Sequence, residues 1–128
     1  MRMWIETYYE DKERGKIMFE NVQVLTENAN KFDVYKLLND EATGINELES
    51  GYIIGDISIA ALYEISGKRY LRLGSTEGVY VTTSATFIDS YMQGREYLGE
   101  ITSVKVIKKK SLKTGRDFAT CMVTDYRK

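Results

Sequence analysis

The chain has 128 residues, 43% apolar and 29% charged, the proportions of an ordinary globular domain rather than of a disordered segment. With no histidine and a single cysteine, it has no Ser-His-Asp triad, Cys-His pair, histidine-ligated metal or internal disulfide. Charge divides along its length: residues 1–64 hold 6 Lys/Arg against 13 Asp/Glu, and residues 65–128 hold 12 against 6.

Met3–Tyr9 and Ile17–Leu25 are β-prone and flank the charged stretch Asp11–Lys16, which predicts an opening hairpin. The first residues contain no apolar run followed by a small-residue cleavage site, and no stretch approaches the roughly 20 apolar residues of a membrane span. A cytoplasmic protein with no membrane partner is expected. Asn28–Glu41 predicts a helix with Phe32, Tyr35, Leu37 and Leu38 as its apolar stripe, Asn28 or Asn30 as its cap, and Gly44 just past its end. Gly44–Gly51 reads as a polar connection. Residues 1–49 are too few to bury a large core alone, and no Pro/Ser-rich linker follows them. They are expected to form an extension packed on a domain made by residues 50–128.

Five strands and one helix are predicted in that domain. In Tyr52–Ile65, the residues Ile53, Ile57, Ile59 and Ala61 share a face, with Gly55 as a bend. In Lys68–Leu73, inward-facing leucines would turn Tyr70 and Arg72 outward together. In Gly78–Thr82, Val79 and Val81 are expected inward, Tyr80 and Thr82 outward. A helix over Ala85–Gln93 has Ser84 as cap, Phe87, Ile88, Tyr91 and Met92 as a core-facing stripe, and Gly94 as its stop. Ile101–Lys108 and Asp117–Thr124 close the series, joined by the loop Lys109–Arg116. Three strands, a helix and two strands give a mainly β fold: a five-stranded OB-fold barrel with one helix between strands three and four, plus the N-terminal hairpin/helix extension.

Such barrels bind single-stranded nucleic acid or oligosaccharide. Neither GxxxxGK[ST] nor GxGxxG is present; Gly67-Lys68-Arg69 and Gly94-Arg95 lack the spacing. Pairs such as Asp40/Glu41 and Glu47/Glu49 sit in polar stretches that read as solvated surface. Binding without catalysis, cofactor or metal is therefore expected, a carboxylate-dependent nuclease being the enzymatic alternative. Tyr70, Arg72 and Tyr80 on adjacent strands make a base-stacking platform, worth about 1–3 kcal/mol per base. Lys68, Lys105, Lys108, Lys110, Lys113 and Arg116 supply phosphate contacts. A lone run Lys108–Lys110 would ordinarily just solvate a turn; Lys105, Lys113 and Arg116 in the same hairpin weigh for a ligand. Phe118 lies on the face opposite Ala119, Cys121 and Val123, where it is either a third stacking ring or core.

The stretch Gly78-Val-Tyr-Val-Thr-Thr-Ser-Ala-Thr-Phe87, followed by Ser111-Leu-Lys-Thr-Gly-Arg-Asp-Phe-Ala-Thr-Cys121, resembles phage-type single-stranded-DNA-binding proteins. The shared pattern is a dipeptide turn, a Y-x-T-x-S entry to the helix and a K-x-G-R-x-F entry to the last strand, over roughly Tyr52–Asp125. The resemblance implies an OB-fold that coats single-stranded DNA without sequence preference during phage replication or recombination, in the host cytoplasm, with no cofactor. It favours Tyr80, Thr82, Lys113, Arg116 and Phe118 as ligand-facing. Bacterial relatives end in an acidic tail that recruits replication enzymes; here the sequence reads Asp125-Tyr-Arg-Lys128 instead. Replication or recombination proteins are candidate further partners, and a strand edge at Met3–Tyr9 is a candidate for pairing two chains. The rival expectation is a protein-interaction module, a phage factor that docks on a host protein through its acidic N-terminal half.

Overall fold

Two β-prone segments open the chain as expected. In the computed structural model, which describes residues 3–12 and 15–127, β1 (Met3–Lys12) and β2 (Gly15–Val24) pair antiparallel from Met3–Val24 to Lys12–Gly15. β2 then pairs through Glu20–Val24 with β5 (Ile57–Ile65), and the register slips at Asn21, whose φ of 52° an asparagine tolerates. Helix α1 (Lys31–Asn39) begins at Asn30, whose Oδ1 accepts from the Asp33 N–H at 2.8 Å. Its buried side chains are Val34, Leu37 and Leu38, a set at helical spacing. Phe32 and Tyr35 lie on the other face, Phe32 67% exposed, so the expected stripe is half wrong.

The connection after α1 is more than a polar link. β3 (Ala42–Gly44) pairs parallel with β7 (Gly78–Thr82), and the 3₁₀ turn Ile45–Glu47 places Ile45 in the main core. The predicted long strand is broken at Gly55–Asp56 into β4 (Ile53–Ile54) and β5, with Asp56 at φ 50°. The break changes the phase: Ile54 and Ile57 are buried, whereas Ile53 is 51% exposed. β6 (Lys68–Ser75) follows through the two-residue turn Ser66–Gly67, both at positive φ, which suits a right-twisted hairpin.

In β7 the expected orientation is reversed. Tyr80 pairs with Leu73 and Thr82 with Leu71, and cross-strand partners share a face, so Tyr80 and Thr82 join the leucines in the core. Val79 and Val81 take the half-buried side. Helix α2 (Ala85–Leu98) starts at Ser84, whose Oγ accepts from the Phe87 N–H, and buries Phe87, Ile88 and Tyr91. It runs through the expected stop at Gly94 and ends at Gly99, φ 111°. β8 (Glu100–Lys110) and β9 (Asp117–Arg127) form the last hairpin, with β4 on the free side of β8.

The fold is mainly β, in two open sheets ordered β1-β2-β5-β6-β7-β3 and β4-β8-β9. The main core lies between them and includes the buried side of α2. A second core, Phe19, Val22, Val24, Val34, Leu38 and Tyr63, lies between the other face of the larger sheet and α1. Residues 1–49 thus contribute strands to the larger sheet and side chains to both cores. The free edge of β7 carries β3; among the described residues no ladder joins β7 to β9, and Ser84, the cap of α2 just past β7, donates through Oγ to the Ala119 carbonyl at 2.6 Å. Among the described residues no helix is long and apolar enough to cross a membrane.

Candidate nucleic-acid interface

The sequence-predicted residues fall into three places. Tyr80 and Thr82 are interior. Tyr80 is 6% exposed, its hydroxyl 3.2 Å from that of Tyr52. That hydrogen bond and burial hold its phenol up at about 12. Thr82 Oγ1 accepts from the Ser84 N–H at 3.0 Å, helping to turn the chain into α2. Neither side chain is available to a ligand on the surface.

Lys68, Tyr70 and Arg72 lie on the outer side of β6, the side that α1 covers in part. The Tyr70 ring stacks on Tyr63, its cross-strand partner, with centroids 5.4 Å apart and planes at 4°. Arg72 is held by the protein at two of its nitrogens: Nε donates to the Tyr63 hydroxyl at 2.9 Å, and Nη1 donates to the carbonyls of Leu37 at 2.8 Å and Asp40 at 2.7 Å. Carbonyls at a helix C-terminus lack partners within the helix and carry its negative end, which is why a guanidinium settles there. Tyr70 and Arg72 do turn away from the main core together, as expected, but they line a groove whose rim includes Asp40 and Glu41. Lys68 is exposed at the start of β6.

Lys105, Lys108, Lys110, Lys113, Arg116 and Phe118 are gathered on the β8–β9 hairpin. Its loop is ordered by Ser111: the Ser111 N–H donates to the Arg116 carbonyl and the Ser111 carbonyl accepts from Gly115 N–H, each at 2.9 Å. Gly115 takes φ 68°, which favours glycine. Lys110, Lys113 and Arg116 are exposed around this loop. Lys108 is set apart, since its Nζ donates to the Asn46 carbonyl at 2.5 Å. Phe118 is half-buried and stands opposite Lys109. Lys109, absent from those candidates, is exposed, shares the period-two phase of Lys105 and stands across the hairpin from Phe118.

Elsewhere, chemistry is sparse. Burial pushes the Cys121 thiol up to about 12, far from the thiolate range at neutral pH. Among the described residues no three Asp, Glu or Cys side chains gather as a metal site. Compared with known proteins, the chain matches no family model, no curated protein and no solved structure.

Proposed function

We propose that this chain binds single-stranded DNA without sequence preference and without catalysis, as an OB-type module of the kind phage single-strand-binding proteins use. The observation that carries the reading is the cationic hairpin. Lys109, Lys110, Lys113 and Arg116 surround one ordered loop with Phe118 beside them, and from Lys105 to Phe118 the sole carboxylate is Asp117. Ammonium and guanidinium groups there attract phosphates, and an aromatic face beside them takes an unstacked base that a duplex does not offer. Element order supports the OB-type assignment: β5, β6, β7, α2, β8 and β9 follow in the required sequence, and the kinked stretch Ile53–Ile65 serves both sheets. The reading rests on the hairpin and not on a tyrosine platform over β6 and β7.

Titration of labelled oligo-dT at two salt concentrations tests it. Binding that weakens steeply with salt and exceeds binding to a duplex of equal length is expected; no binding at low salt refutes the proposal. The rival role, docking on a host protein through the acidic half, draws on Phe32 and Tyr35, which α1 leaves at the surface within that half. Capture of a host protein by the wild type, lost in Phe32→Ala, in a preparation that fails to bind oligo-dT would favour that role.

A further inference from the structure

The geometry points to the uncovered face of the β4–β8–β9 sheet as the track on which the unpaired strand lies, an assignment that rests on the single-strand reading above. Ile54, Val104 and Val106 are buried on the core side of this sheet, so pleating turns Ile53, Lys105 and Lys109 outward. Register carries that face across the sheet: Ile53 stands opposite Lys105, Lys105 opposite Met122, and Lys109 opposite Phe118. α2 packs on the other side, where Gly94 approaches Val123. Thr120, which register with Ile107 places on the outward face between Phe118 and Met122, has its Oγ1 2.9 Å from Ser90 Oγ, so α2 bounds that face along β9.

The result is a row of apolar side chains alternating with ammonium groups. Ile53 and Met122 are 51% and 54% exposed and flank Lys105; Phe118 flanks Lys109. Lys105 and Lys109 are about 13 Å apart along the strand, and three strands make a strip about 10 Å wide, narrow enough for one nucleic-acid strand to fill. Bases rest on the apolar side chains while the lysines meet phosphates. The strip also has ends of opposite sign. The hairpin cations lie at one end, and at the other Asp56 and Asp125 line a hollow with Ile53 and Thr124. Phosphates are drawn in at the hairpin and repelled beyond Ile53. The outer side of β6 has the reverse balance, its Arg72 engaged by α1 and its groove rimmed by Asp40 and Glu41.

Anisotropy of fluorescein-labelled oligo-dT, beside a duplex of the same length, separates the possibilities, with circular-dichroism melts to verify folding. Phe118→Ala is expected to weaken oligo-dT binding about five- to 150-fold, the effect of losing one stacked base. Lys105→Glu with Lys109→Glu, both at exterior positions, is expected to lower the slope of log K against log salt by about 1.4. This pair decides the matter if Phe118→Ala does not fold. Tyr70→Ala is expected to bind as the wild type does. Should Tyr70→Ala lose affinity while the hairpin-face variants keep it, the track lies on the other sheet and only this inference falls. Equal binding of duplex and oligo-dT that ignores Phe118 overturns the track in favour of a general polyanion surface. A wild type that binds no oligo-dT overturns the single-strand reading along with it.

Discussion

Arg72 Nε donates to the Tyr63 hydroxyl at 2.9 Å across the β5–β6 pair, and the same guanidinium holds two carbonyls at the end of α1. The cation that the sequence reading assigns to phosphate is therefore a clamp between sheet and helix. Replacing it by alanine leaves those carbonyls without a charged donor. Arg72→Ala should lower stability by about 2 kcal/mol, seen as a lower urea midpoint with little change in slope, while oligo-dT affinity holds. Arg72→Lys should recover little, because an ammonium on a flexible stem does not reproduce the planar fork. A wild-type midpoint for Arg72→Ala would show that the clamp is ornamental.

Gly94 sets two effects against each other. Alanine in the interior of α2 would gain about 1 kcal/mol of helix propensity. An added Cβ, however, would lie 2.7 Å from Val123 Cγ2, and overpacking of this kind costs about 1–3 kcal/mol. Gly94→Ala should therefore be net destabilising in a thermal melt. In a Val123→Ala background the clash is gone, and the same substitution should become stabilising. A stabilised single variant would mean that β9 yields more readily than its packing indicates.

The Tyr80 phenol is held at about 12, above its ordinary value of 10.0. In the unfolded chain it loses its proton near pH 10, while the folded chain keeps it until about pH 12. The unfolded state therefore binds fewer protons in that window, and stability falls as pH rises from 10 to 12. Below pH 10 the contribution is fully present. Tyr80→Phe should remove one proton's worth of that slope when urea midpoints are compared between pH 9 and 12. At neutral pH its loss should stay near 1 kcal/mol, one hydroxyl hydrogen bond. An unchanged alkaline slope would contradict the raised phenol.

Not all hairpin cations should matter equally. Lys108 is tied to the Asn46 carbonyl, whereas Lys110, Lys113 and Arg116 are exposed. Under the single-strand reading, alanine at Lys110, Lys113 or Arg116 should each reduce the salt slope by about 0.7 if that side chain meets a phosphate. Lys108→Ala should reduce it less and instead cost some stability. The reverse ranking would count against the exposed loop as the phosphate contact.

Local chemistry made much of the architecture readable. Ser84 and Asn30 announce their helices because a side-chain oxygen caps free N–H groups, and the alternation in Lys68–Leu73 marks its buried leucines directly. Long-range register did not show. The phase of β7 depends on Tyr80 meeting Leu73, and a tyrosine enters the core only because Tyr52 waits there with a hydroxyl. Gly94 looked like a stop because its close approach to Val123 is a tertiary fact. β3 is three residues long, too short for any periodic signal, yet it takes the β7 edge. Of the proposed contacts, the hairpin cluster was legible because the loop is local. The role of Arg72 was not, since the carbonyls it holds lie 35 and 32 residues away in the chain.

β3 has a further consequence for the molecule as a solute. Together with β2 it keeps both flanks of the β5–β6–β7 ribbon occupied. A chain trimmed to begin at residue 50 would present bare N–H and C=O groups along β5 and β7, the kind of template on which strands from other copies adhere. The opening segment therefore moves the open edges of this sheet outward to β1 and β3, and shortening the protein would transfer them to strands whose side chains build the main core.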